Sequence, residues 1–146
     1  MKIKQLSIFL ENKAGRLAHV TRVLSDAKVN ILALSLADTS DFGILRLIVS
    51  DPQRANMIMK EQNIVSMVND VTAVEVDNQP GGLHRILGAL DGSGVNVEYM
   101  YAFAEPMSDK AALIFRFDDP DKAVRVLSDA GINVFGHVDI GILPDA

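Results

Sequence analysis

The chain contains no cysteine. That excludes disulfides, Cys-ligated zinc, iron–sulfur clusters and thiol nucleophiles. Tryptophan is also missing and aromatic residues make up only 5% of the sequence, so Ala, Val, Ile and Leu must build the core. Basic runs are lacking too: 14 Lys and Arg stand against 19 Asp and Glu, for a net charge of −5. Nucleic-acid binders draw much of their affinity from a basic face, so no nucleic-acid partner is expected. No apolar run approaches the ~18 residues that cross a bilayer. The opening MKIKQLSIFLEN interrupts its short apolar stretch with Gln5, Ser7 and Glu11, unlike a signal peptide. A cytoplasmic protein with no membrane partner is the expectation.

What is present is a globular composition, 49% hydrophobic and 23% charged, arranged as a repeat. Residues 11–30 read ENKAGRLAHVTRVLSDAKVN and residues 77–96 read DNQPGGLHRILGALDGSGVN. At a constant offset of 66, Asn12 meets Asn78, Gly15 meets Gly81, Leu17 meets Leu83, Leu24 meets Leu90 and Asn30 meets Asn96. At an offset of 68, Asp51-Pro52 meets Asp119-Pro120 and Ile64 meets Ile132. Glycine, asparagine and Asp-Pro in one order point to duplication.

Each copy reads as β-α-β-β-α-β. In the first, residues 2–10 alternate as a strand, and Leu17, Val20, Val23, Leu24 and Ala27 have helical spacing after Gly15. Residues 30–37 and 44–49 form a hairpin across Asp38-Thr39-Ser40-Asp41. Asp51-Pro52 opens a second helix with Asp at the N-cap and Pro at N1, and 64–68 is a last strand. The second copy places strand 71–76, helix 83–92, hairpin 95–103 with 111–117, helix 120–130 and strand 132–135. The expected fold class is α+β: two tandem ferredoxin-like units, residues 1–69 and 70–146, each an antiparallel sheet with both helices on one face. An extra C-terminal strand is expected at 138–143. Bare sheet edges favour packing of the copies and a homodimer.

The chemistry concentrates in the loops from first strand to first helix, residues 11–17 and 77–83. A free amino acid needs N–H donors for its carboxylate, which a helix N-terminus offers with its positive dipole end. Glycine admits close approach to that backbone. The ammonium needs acceptors, and asparagine can both donate and accept. Eighteen residues after each loop asparagine stands another, Asn30 after Asn12 and Asn96 after Asn78. The candidate ligand-binding residues are therefore Asn12, Ala14, Gly15, Asn30, Asn78, Pro80, Gly81, Gly82, Leu83 and Asn96. The loop at 77–82 is the stronger candidate, since Pro80 pre-sets the turn and Gly81-Gly82 would leave the helix amides uncovered. The bland reading is that the glycines shape turns and the asparagines form Asx turns.

The order acidic-Asn-x-Pro-Gly-x-Leu, helix, Gly-Val-Asn resembles the ACT domain, a regulatory module of amino-acid metabolism. The resemblance covers nearly the whole chain, twice. DNQPGGL…GVNV is the more specific match; ENKAGRL…KVNI has Ala14 for proline and Lys28 for glycine. It implies a ferredoxin-like fold and paired modules that bind a free L-amino acid at their interface; a separate enzyme or regulator is the partner such a pair would act on. Some members carry a histidine two residues before the loop asparagine; here those positions are Leu10 and Val76. ACT domains usually end an enzyme, and no catalytic domain fits beside two of them in this length, so a stand-alone tandem pair without catalytic residues or cofactor is expected.

Rival readings are weaker. Acylphosphatases share the βαββαβ order, but the phosphate-cradling glycines before Arg16 are missing and Gly82 replaces it in the second copy. A pure interaction subunit without ligand is the other alternative. His19, His84 and His137 lack metal-ligand spacing, and Asp118, Asp119 and Asp121 fit a helix cap better than a cation site. No metal site is expected.

Overall fold

The computed structural model describes residues 2–38, 41–103 and 110–143. The turn expected at 38–41 lies partly outside them, at Thr39 and Ser40. Along the chain run β1 (Ile3–Glu11), α1 (Arg16–Asp26), β2 (Ile31–Asp38), β3 (Phe42–Val49), α2 (Pro52–Glu61), β4 (Ser66–Asp77), α3 (Gly82–Leu90), β5 (Val97–Ala102), β6 (Lys110–Phe117), α4 (Pro120–Asp129) and β7 (Val134–Phe135). One unit comprises Lys4–Asn69 with the residues from Gly141 onward; the other comprises Asp70–Ile140 with the residues up to Ile3.

In the first unit β3 lies between β2 and β1, antiparallel to both. The other side of β1 takes the residues leading into β4, where the Phe9 N–H donates to the Val65 carbonyl at 3.0 Å. The second unit repeats this arrangement: β6 lies between β5 and β4, and β4 takes β7 on its other side. The matching bond runs from the Glu75 N–H to the Asn133 carbonyl at 2.9 Å. Each order is that of an antiparallel βαββαβ unit.

Helix amphipathicity explains each core. In the first unit Val20 and Leu24 of α1 and Ala55 and Met59 of α2 cover Leu6, Ile8, Leu45 and Leu47 of the sheet. In the second, Ile86 and Leu90 of α3 and Ala123 and Leu127 of α4 cover Val74, Phe115 and Phe117. Asp51 and Asp119 cap α2 and α4, each carboxylate accepting from a backbone N–H, Arg54 at 3.1 Å and Lys122 at 3.2 Å, with Pro52 and Pro120 in the first turn.

Two sequence expectations are corrected. Strands 64–68 and 71–76 are not separate: β4 runs unbroken through Asn69 and Asp70. These residues join the two copies, and each finds a partner in its own unit. The Ser7 hydroxyl donates to Asn69 Oδ1 at 2.6 Å, and Arg116 Nη1 donates to the Asp70 carbonyl at 2.6 Å. The extra C-terminal strand also does not form among the described residues. Val138–Ile140 make a single 3-10 turn, with the Gly136 N–H held by Asp139 Oδ2 at 2.8 Å. Gly141, at φ 88°, then redirects the chain, and its last described contact is Leu143 N–H to the Ser50 carbonyl at 2.8 Å.

Candidate functional site

The two loops singled out by the sequence are built alike. Each ends on a glycine in the left-handed region, Gly15 at φ 88° and ψ −13°, Gly81 at φ 88° and ψ −3°. An L side chain there costs about 1–2 kcal/mol. The turn before each glycine closes by one pattern: Lys13 N–H to the Glu11 carbonyl (2.8 Å) and Gln79 N–H to the Asp77 carbonyl (2.9 Å), then Arg16 to Lys13 (3.3 Å) and Gly82 to Gln79 (3.1 Å). Among the described residues no side chain caps α1 or α3, and neither helix has an acidic residue in its first turn. The contrast with aspartate-capped α2 and α4 is internal to the molecule. Two helix N-termini per chain present backbone donors and a positive dipole end to an outside anion.

The remaining candidates fall into place unevenly. Asn12, Ala14, Gly15, Asn78, Pro80 and Gly81 are all exposed on these loops, and Leu83 is 40% exposed in the first turn of α3. Gly82 has, in addition, a steric reason to be glycine. A Cβ there would overlap the Asp77 carbonyl oxygen, because the turn folds back on this position. Asn30 and Asn96 lie at the far end of their units. Asn30 exchanges bonds with Ser50, N–H to Oγ and carbonyl from N–H, both 2.9 Å. Asn96 does the same with Asp118, at 2.8 and 3.1 Å. Asn12, by contrast, donates its N–H to Asp41 at the opposite end of β3 (2.9 Å). The eight residues of β3 separate the two asparagines by roughly 25 Å at the rise of an extended strand. Within one unit, then, the structure does not bring Asn12 to Asn30, nor Asn78 to Asn96.

Sequence reasoning missed a recess beside the first loop. It has a volume of about 350 Å³ and is lined by Phe9, Leu10 and Glu11 of β1, Arg16, His19 and Val20 of α1, Phe42 of β3, and Gln62–Val65 before β4. A smaller one of about 80 Å³ lies on the loop's other side, against Leu17, Leu36 and Gly43. Phe9 and Val65 are distant in sequence and meet only through strand pairing, so no local signal marks them. Another recess, about 320 Å³ along α2 between Lys4 and Met57, touches neither loop.

At the mouth of the first loop Lys13 Nζ lies 3.0 Å from Glu11 Oε2. The Lys13 hydrogen bond, then the charges of Lys13 and Arg16, hold the Glu11 carboxyl below its ordinary value. A lowered folded-state value means that any stabilisation is present above the ordinary carboxylate range and is lost as pH falls through the lowered value. In Lys13→Ala, an NMR titration is expected to show the Glu11 midpoint moving up; an unchanged midpoint would remove Lys13 as the cause.

A family model described as the ACT domain pair matches residues 1–141. The chain belongs to the ACT domain pair family. ACT domain pairs are regulatory modules, and this chain is one of them. A solved structure of protein BT0572 from Bacteroides thetaiotaomicron is 42% identical, covers 98% of each chain and superposes with a TM-score of 0.91. The regulatory subunit of aspartate kinase from Thermus thermophilus, in a ligand-free form, is 15% identical over 87% of this chain and 91% of that one, with a TM-score of 0.60. E. coli aspartokinase III in complex with lysine and aspartate is 14% identical, with a TM-score of 0.51, over 96% of this chain and 32% of that one. At such identities the two kinase structures share the ACT fold and nothing more. A search of curated proteins finds no match. Among the described residues, no helix of this ACT pair is long and apolar enough to cross a membrane.

Proposed function

We propose that this ACT pair is a non-catalytic cytoplasmic sensor of a free L-amino acid, regulating amino-acid metabolism or transport through a separate enzyme or regulator. The observation that carries the reading is the matched pair of glycine-opened, uncapped helix N-termini, set against two aspartate-capped helices in the same chain. The ligand carboxylate meets backbone amides near Gly15 or Gly81, and its ammonium an Asn side chain or a strand carbonyl. Because the two asparagines of one unit lie at opposite ends, a ligand touching an Asn of each kind needs a neighbouring ACT unit.

A thermal-shift screen against the twenty amino acids tests this. A ligand binding only the folded state at a hundred times its Kd adds about 2.7 kcal/mol of stability. For the amino acid found, Asn78→Ala and Asn96→Ala are each expected to weaken binding by about 1–3 kcal/mol, the cost of leaving a buried polar group unmet. Wild-type affinity in the double variant, read by calorimetry, would remove both from the site. Among the described residues the strands β2 and β5 each have a single partner, and unpaired edges invite association; a homodimer is the expected state. Sedimentation as a monomer at high concentration would rule that out.

A further inference from the structure

We propose that the ligand of the first unit is an amino acid with an apolar side chain, which lodges in the recess behind the β1–α1 loop. The inference rests on the sensor reading above and narrows its ligand. The recess, about 350 Å³, has the size of a small-molecule site, with an apolar side at Phe9, Phe42 and Val65 and polar groups at His19, Gln62 and Asn63. Phe9 is 46% exposed, Phe42 55% and Val65 65%. They line a concavity together with Ile64, so they offer apolar surface to something that enters it. The rim carries one group of each sign, the Arg16 guanidinium and the Glu11 carboxylate, beside the uncapped start of α1. Arg16 and the helix amides suit a carboxylate, and the second oxygen of Glu11 suits an ammonium. The combination fits a zwitterion with an apolar tail.

The second unit has the same backbone and the opposite chemistry. The Phe9–Val65 backbone bond corresponds to Glu75–Asn133, and there the side chains pair, Asn133 Nδ2 donating to Glu75 Oε2 at 2.8 Å. Gly82 stands in place of Arg16. Duplication thus leaves the exposed apolar pair Phe9 and Val65 with a guanidinium in one unit, and a polar pair in the other. Apolar selectivity belongs to the first unit.

The test grafts one chemistry onto the other. Leucine, phenylalanine and methionine are compared with serine, aspartate and lysine by calorimetry on the wild-type chain and on Phe9→Glu/Val65→Asn. An apolar amino acid is expected to bind the wild-type chain, and the graft to weaken it by about ten-fold or more, with the melting temperature of the unliganded protein little changed. Should the graft not fold, Val65→Ser alone replaces it, at a position where the side chain is mostly in solvent. Unchanged affinity in the variant, or binding of polar amino acids only, overturns the inference and leaves the sensor reading standing. Binding of no amino acid overturns both.

Discussion

Phe115→Ala is expected to lower the free energy of unfolding by about 3–5 kcal/mol, the range for truncating a buried phenylalanine. Phe115 is fully buried in β6, and its ring stacks on Phe117 with centroids 5.1 Å apart and planes 5° from parallel. Such pairs add about 0.5–1.5 kcal/mol beyond the area they bury. Removing the ring leaves a cavity beneath α3 and α4, because Ile86 and Leu127 pack into the same cluster. A loss of that size is a large part of the ~5–15 kcal/mol that holds a domain folded. Urea unfolding followed by circular dichroism measures it. A loss below about 1 kcal/mol would show that the sheet closes over the gap, at the low end of what burial predicts. Phe9→Ala is the control: its ring is half in solvent, so its effect belongs to ligand binding more than to folding.

Gly82→Ala is expected to cost about 2–3 kcal/mol, the upper range for forcing atoms into an occupied space. The new methyl carbon would overlap the Asp77 carbonyl oxygen and lie 3.0 Å from Val76 Cγ2. The nearer contact is backbone, so no rotamer change relieves it. The turn must open and the first turn of α3 must shift. The adjacent Gly81→Ala meets no atom within 4 Å, but its φ of 88° carries the left-handed penalty of about 1–2 kcal/mol. The order of the two losses distinguishes contact strain from dihedral strain. If Gly82→Ala unfolds at the wild-type urea concentration, the Asp77 carbonyl is free to move and the glycine has no steric role.

The duplication was legible because the recurring residues are those with few conformational alternatives. Gly15 and Gly81 mark one left-handed turn, and Asp51-Pro52 and Asp119-Pro120 mark one kind of helix start. Such choices are local. They are settled by the φ preferences and hydrogen-bonding reach of a residue and its near neighbours, so they read straight from the chain. The apolar stripes of the helices were legible for the same reason, since periodicity needs no partner to be seen.

The recess was not legible. Phe9 falls in the strand at 2–10 and Val65 in the strand at 64–68, and nothing local joins them. The separation of Asn12 from Asn30 was equally hidden, since a spacing of eighteen residues says nothing about which end of the sheet each occupies. The unbroken course of β4 and the closing turn at Val138–Ile140 also had no local signature. By itself the sequence determined the repeat, the class of each element and the chemistry of the two loops. Only the tertiary structure decided which residues meet, because pairing register and packing join positions far apart in the chain, and their energy depends on a partner that no local pattern names.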